Sequence, residues 1–370
     1  MKARRTEAEI LGIGMVTPVG LSARQTAASV RTGIGRLAES YVTDRCGEMM
    51  VMGLCDMADL PALVEELDDP DDPAQELSPR QERLARLAGP AAREALGSDA
   101  RVALPLLLAL PEPHPEAGSA VGPEMIAVLA AQIGRRFDED LSRTYALGRA
   151  GAFAALGDAL DLLDDDREAR RDRRGSAPLV LVGAVDSYLD LELLEALDGE
   201  GRLKTGEISD GFVPGEGAAF LLLGPAGSAA RSGRRPLARI TGVGQGQEAG
   251  HLYSDEPHRG DGLSAAFGAL FEAAGASTPS RHVGCVYAGL NGESYWAKEW
   301  GVAQIRGAGH LQEGMRIEHP ADCFGDAGAA LSLIMLGLGA LALSRGGVDG
   351  DCLVWGGADR GERGAALLAR

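Results

Sequence analysis

Aromatic residues make up only 4% of this 370-residue sequence. A core so short of large rings has to fill its space by bringing backbones close together, and fifty-two glycines supply the means. Cysteine is sparse as well: Cys46, Cys55, Cys285, Cys323 and Cys352 lie far apart, none in a C-x-x-C pair. An odd, scattered set excludes a disulfide framework and reads as reduced thiols in a cytosol. Positive charge is in deficit, with 36 Lys and Arg against 54 Asp and Glu and a formal net charge of −18. That field repels phosphate backbones, so nucleic acid is not an expected partner. Long hydrophobic runs are missing too. The longest, Ala327 to Leu343, is rich in Ala and Gly and falls short of the roughly 20 residues of a membrane span. The N-terminal stretch holds no apolar run of signal-peptide length. These absences lead to the expectation of a cytoplasmic protein that uses neither membrane nor nucleic acid.

What is present is a repeat. "AEILGIG" (Ala8–Gly14) returns as "ARITGVG" (Ala238–Gly244), and "GRAGA" (Gly148–Ala152) returns as "GDAGA" (Gly325–Ala329). "GAVD" (Gly183–Asp186) returns as "GGAD" (Gly356–Asp359), and "GAAFLL" (Gly217–Leu222) is echoed by "GAALL" (Gly364–Leu368). Four pairs in the same order and with similar spacing indicate a duplication. Each half alternates strands with helices, so the fold class is α/β with mostly parallel sheets covered by helices. The division falls at the Gly-, Ser- and Pro-containing stretch 224–236, giving halves 1–235 and 236–370. "EELDDPDDPAQE" (65–76) reads as an acidic surface loop and "DDDREARRDRR" (164–174) as a solvated helix end or loop.

"HPADCFGDAGAA" (His319–Ala330) gathers a histidine, two aspartates and a cysteine just before the apolar run. Asp326 can cap the helix start, where free N–H groups and the helix dipole favour a carboxylate. Its alternatives are a ligand or partner contact and acid–base catalysis. Metal binding by His319, Asp322, Cys323 and Asp326 is opposed by Pro320 and Gly325, which make the segment a turn into a helix. No metal site is expected. Cys323 reads as a buried, inert thiol, with a relocated nucleophile as the alternative. "NGESYWAKEWG" (Asn291–Gly301) clusters aromatics and charges. Trp296 and Trp300 at i, i+4 either pack a helix on the core or anchor an interface.

"ILGIGMVTPVG" and the long segment from "LVGAVDSYLDLELLEALDGEGRLKTG" to "DGFVPGEGAAFLLL" resemble the β-ketoacyl synthases. The likeness implies the thiolase fold: two pseudo-symmetric halves in five αβαβα layers, usually paired as a dimer. Condensing enzymes of that family use a cysteine at the start of the central helix of the first half, plus two histidines or a histidine and an asparagine. Set against that pattern, Gly148 takes the place of the cysteine, with Leu147 the alternative in a register one residue earlier. Gly289 takes the place of the first histidine and Asp326 that of the second. Ser142 and Thr144 lie close by but precede the helix and have no base beside them.

With all three positions changed, the resemblance implies a catalytically degenerate protein that works by binding through Asn291, Glu293, Trp296, Cys323 and Asp326, without a cofactor. "GRAGA", "NGESYWAKEWG", "HPADCFGDAGAA" and "LVWGGADRGERGAALL" are similar to the thiolase-like accessory proteins found with type VI secretion effectors. That branch implies an adaptor or chaperone whose partner is an effector or adaptor protein, with the chain itself a homodimer. Two alternatives stand beside it. One is an active acyltransferase with a rearranged site around Cys323, Asn291 and Glu293, served by an acyl carrier protein or acyl-CoA. The other is a non-catalytic partner subunit of a true ketosynthase.

Overall fold

The computed structural model describes residues 7–67, 77–97, 103–118, 121–169, 178–231, 235–275 and 283–370. Most of the acidic loop at 65–76 and the end of the stretch 164–174 lie outside them. The chain opens with β1 (Ala8–Val16), α1 (Ala23–Arg31) and a hairpin of β2 (Ala38–Thr43) and β3 (Met49–Met52). Then come α2 (Pro79–Leu96), β4 (Leu106–Ala109), α3 (Met125–Ile133), β5 (Arg143–Tyr145) and α4 (Gly151–Ala169). β6 (Val180–Ser187), α5 (Leu191–Gly199), β7 (Glu216–Pro225) and the short α6 (Ser228–Arg231) follow. Beyond them lie β8 (Ala238–Gln247), α7 (Asp261–Ala273), β9 (Val283–Tyr287), α8 (Ser294–Arg306) and β10 (Leu311–Glu318). The one-turn α9 (Ala321–Phe324), α10 (Ala329–Ser344), β11 (Asp351–Gly357) and β12 (Glu362–Ala369) complete it.

The strands run in the order β5-β4-β6-β7-β1, then β8-β12-β11-β9-β10. Read outward from the β1–β8 junction, each run of five has the same pattern: antiparallel neighbours first, then two parallel pairings. The four sequence repeats fall on equivalent elements of the two runs: β1 with β8, the start of α4 with that of α10, β6 with β11, and β7 with β12. The halves join at the edge by only three residue pairs, from Ala8↔Ile240 to Ile10↔Ala238.

Packing sorts these elements into five layers. α2 and α3 cover the outer face of β4, β6 and β7. α7 and α8 cover the outer face of β9, β11 and β12. α4 and α10 fill the middle, in one cluster with the inner faces of both runs. A helix between two sheets has no wet side, which is why α10 is apolar around most of its circumference. No helix among the described residues is long and apolar enough to cross a membrane.

The shortage of aromatic residues is met by close backbone approach. A Cβ added at Gly14 of β1 would sit 1.9 Å from the carbonyl oxygen of Ala91 in α2. One added at Gly244 of β8 would sit 2.0 Å from the carbonyl oxygen of Ala266 in α7. The repeated Gly-x-Gly therefore marks where each outer helix rests directly on strand backbone. α2 is further fixed at its start by Ser78, which caps the Gln81 N–H while the Gln81 side chain accepts from the Ser78 N–H.

Candidate functional site

α4 and α10 begin close together at the centre of the molecule, and the singled-out residues gather around those two starts. Gly148 opens a single 3-10 turn, 148–150, that leads into α4. Its φ of +50° is a conformation that L side chains rarely adopt, and an added Cβ would lie 3.2 Å from Cβ of Glu112. The position presents no side chain and has little room for one. Gly289 follows β9, and a Cβ there would press within 3.0 Å of the Trp355 carbonyl oxygen.

The next residue, Arg149, occupies the centre. Its guanidinium is buried and spends all three nitrogens: Nε donates to the Gly357 carbonyl at 3.0 Å, Nη1 pairs with Asp326 and Nη2 pairs with Asp359. Its plane lies over the Trp296 indole, 4.7 Å from the ring centroid. Arg202 forms a second cation, with Nε 2.8 Å from Glu293 and Nη1 2.7 Å from Asp359. Asn291 bridges the anions, its Nδ2 donating to Glu293 at 2.9 Å and to Asp326 at 2.8 Å. Trp296 Nε1 donates to Glu293 at 3.0 Å. Burial works against charge on Arg149, yet Asp326 and Asp359 overcome it and raise its pKa further. Burial would likewise push Asp359 up, but Arg202 and Arg149 hold it well below the usual carboxylate range.

The chemical consequence is that the guanidinium nitrogens of Arg149 are all committed. Acyl transfer needs a nucleophile and free donors aimed at a developing oxyanion. Here the helix tip bears glycine, and the guanidinium nitrogens that could serve as donors are bound to carboxylates and a carbonyl. Asn291, Glu293, Trp296 and Asp326 are thus brought together, as constituents of one buried polar network. Trp296 is 0% and Trp300 6% exposed, both within the α7–α8 core cluster.

Cys323 stands apart from this group. It is buried in α9, and burial and then the charge of Asp322 push its thiol up, away from thiolate. His319, the histidine nearest in sequence, has its Nδ1 2.7 Å from Asp322. Asp326 accepts from the Gly328 N–H at 2.8 Å, but the first N–H of α10, that of Ala329, goes to Asp186 at 2.8 Å. The helix-start carboxylate is therefore Asp186, reaching over from the end of β6. Ser142 Oγ accepts from the Leu106 N–H at 2.9 Å, a strand-edge bond.

The His319–Asp326 stretch forms no metal cluster among the described residues. One other group has suitable spacing, Glu248, His258 and Glu299. Its place for a cation is already taken, since Arg363 Nε lies 2.8 and 2.9 Å from the two Glu299 oxygens.

Arg149, Arg202, Asp359, Glu112 and Asp186 build the centre, and sequence reasoning singles out none of them. Glu112 seals its outer side, accepting from the N–H groups of Asp359 at 2.8 Å and Arg360 at 3.2 Å. A cavity of about 40 Å³ remains there, touching Glu112, His114, Arg149, Tyr253 and Asp359. That is room for about one water molecule; ligand pockets hold about 300–1,000 Å³. A wider, open cleft of about 280 Å³ lies beside Leu147, lined by Ala154, Gln245 and Gln247 among others. It contains no thiol or hydroxyl.

Burial, followed by the negative charge of Asp359, pushes the Glu112 carboxyl up to about 7 from an ordinary value of 4.5. The folded protein therefore keeps a proton that the unfolded chain releases. The stability contributed by Glu112 is whole below its unfolded pKa and is lost as pH rises through its folded one. Denaturant titrations between about pH 5 and pH 8 are expected to show stability declining with pH, and Glu112→Gln is expected to flatten that decline. An unchanged slope in the variant would place the titration on another group.

No family model and no curated protein matches the chain. Solved structures do. One is a type II polyketide ketosynthase solved with its acyl-carrier protein and a hexaketide, at 16% identity and a TM-score of 0.70 over 99% of both chains. The ishigamide ketosynthase/chain length factor is 15% identical, with a TM-score of 0.74 over 99% of both. The ketosynthase of module 6 of the Bacillus subtilis bacillaene synthase is 13% identical, with a TM-score of 0.75 over 98% of this chain and 72% of that one. The chain therefore has the thiolase fold of the ketosynthases, as the sequence resemblance implied.

Proposed function

We propose that this chain is a ketosynthase-fold protein without ketosynthase chemistry, acting by binding another protein. One observation carries the reading. The place that the resemblance assigns to the nucleophile is a positive-φ glycine, and the space behind it is filled by the Arg149 network. A buried guanidinium with its nitrogens committed supports neither thiolate formation nor enolate stabilisation. Displacing it to admit an acyl chain would strand the buried charge of Asp326 and leave Asp359 with Arg202 alone.

The partner we infer is the one implied by the branch resemblance: an effector or adaptor protein of a type VI secretion system, held by a homodimer of this chain. A second reading has an observation of its own. The likeness to the ishigamide ketosynthase/chain length factor extends over 99% of both chains, which suits a silent subunit beside an active ketosynthase. The reading as an active acyltransferase finds the least support, because the Cys323 thiol is pushed up rather than activated.

The test joins affinity capture from native cells with intact-mass measurement. Incubation with acyl-CoA or acyl-carrier-protein donors is expected to leave the mass unchanged, while capture returns a secretion-spike component or effector. An acyl adduct lost in Cys323→Ala would overturn the non-catalytic reading. Capture of an active ketosynthase would move the assignment to the second.

A further inference from the structure

Three side chains lie in one row across the edge of the second half's sheet, outside the network just described. In the β10–β9 pairing Arg316 stands opposite Cys285, and in the β9–β11 pairing Cys285 stands opposite Cys352. The row runs from a half-exposed arginine inward to two buried thiols that belong to the inner core cluster under α10. Arg316 Nη2 lies 3.7 Å from the Cys285 sulfur, and the Cys352 sulfur lies 4.0 Å from the Leu353 carbonyl oxygen. Adjacent strands are about 4.8 Å apart, and disulfides bridge Cα separations of about 4.4–6.8 Å. Directly opposed cysteines therefore have a Cα separation within the range that disulfides bridge.

The surroundings assign different roles to the two sulfurs. The neighbouring Cys352 thiol lowers the Cys285 pKa; burial opposes this, and Arg316 adds to the lowering. Cys352 is raised, first by the neighbouring Cys285 thiol and then by burial. Glu318 also pairs with Arg316 at 2.6 Å and works against the thiolate, as it raises Cys285. Tyr287 and Asp351 complete the set of titratable neighbours. α10 packs closely over the pair, and a Cβ added at Gly339 would come within 2.9 Å of Cys352 Sγ. Elsewhere the thiols of Cys55 and Cys323 are pushed up by burial, and that of the exposed Cys46 first by the charge of Glu207.

We propose that Cys285 and Cys352 form an oxidisable dithiol, with Cys285 attacking hydrogen peroxide and Cys352 resolving the product to a cross-strand disulfide. In the first step the Cys285 thiolate attacks one peroxide oxygen. A sulfur–oxygen bond forms, the oxygen–oxygen bond breaks, and hydroxide leaves to be protonated to water. The sulfur loses two electrons and the peroxide gains them. In the second step Cys352 sulfur attacks the sulfenic sulfur; the sulfur–sulfur bond forms and the hydroxyl departs with the Cys352 proton as water. Two thiols and one peroxide give one disulfide and two waters. The product would tie β9 to β11 beneath α10 and would be undone by a dithiol reductant.

The experiment treats the native full-length protein with graded hydrogen peroxide, blocks remaining thiols, and maps the peptides by mass spectrometry without reduction. The expected product joins the peptides carrying Cys285 and Cys352, and disappears after dithiothreitol. Cys352→Ser is expected to accumulate a dimedone-trapped sulfenic acid at Cys285, and Arg316→Met to slow oxidation several-fold while leaving the Cys46 rate unchanged. Oxidation confined to Cys46 in the native protein, with Cys285 and Cys352 recovered as free thiols, would overturn the proposal. So would a cross-link that appears only after denaturation. The unsubstituted protein gives the decisive reading, whatever the variants do to folding.

Discussion

Replacing Arg149 with methionine is expected to cost about 3–5 kcal/mol of folding stability, the usual penalty for removing one partner of a buried ion pair. The loss comes from what is left behind. Asp326 keeps Asn291 and the Gly328 N–H, and Asp359 keeps Arg202, but the fully buried Asp326 would lose its counter-charge and Asp359 one of its two. Arg149→Lys should fall between the two, because one ammonium cannot reach Gly357, Asp326 and Asp359 in the fork geometry that arginine provides. The double change Arg149→Met with Asp326→Asn should recover part of the loss, since it removes the stranded charge as well as its partner. Urea titration of the unsubstituted protein, Arg149→Met, Asp326→Asn and the double variant measures this as a double-mutant cycle. A single-variant loss below about 1 kcal/mol, typical of exposed pairs, would mean that water fills the centre.

Gly14→Ala and Gly244→Ala should each cost about 3 kcal/mol, at the upper end of ordinary overpacking. The new methyl would lie 1.9 or 2.0 Å from a helix carbonyl oxygen, so the whole of α2 or α7 must retreat from its strand. Gly268→Ala provides a contrast of opposite sign. It lies within α7 with nothing within 4 Å of an added Cβ, so the gain in helix propensity should stabilise by up to about 1 kcal/mol. Equal effects at all three positions would show that backbone entropy, rather than helix-to-strand contact, sets the cost.

The architecture was legible because duplication leaves its record in glycine. The Gly-x-Gly pairs, the two helix starts and the strand-end "GAVD" and "GGAD" all recur where the structure repeats itself. The centre was less legible, although its signal lay inside the same repeats. Arg149 and Asp326 are the second residues of "GRAGA" and "GDAGA", equivalent positions carrying opposite charge, and they bond to each other. Asp186 and Asp359 close the other repeated pair, and each reaches into the opposite half: Asp186 to the start of α10, Asp359 to Arg149. The small residues draw attention to the repeats, while the charges between them hold the halves together. Arg202 and Glu112 had no such signal, lying in loops whose folding back onto the centre depends on tertiary contacts alone.

The three-residue junction between β1 and β8 is too slight to carry the molecule's integrity. What unites the halves is reciprocal: each lends a carboxylate to the other's helix start, and α4 and α10 share a single apolar interior. A chain cut at the midpoint would leave either fragment with a greasy flank and orphaned ions. Melting should accordingly proceed as one event, with no surviving half to be caught partway.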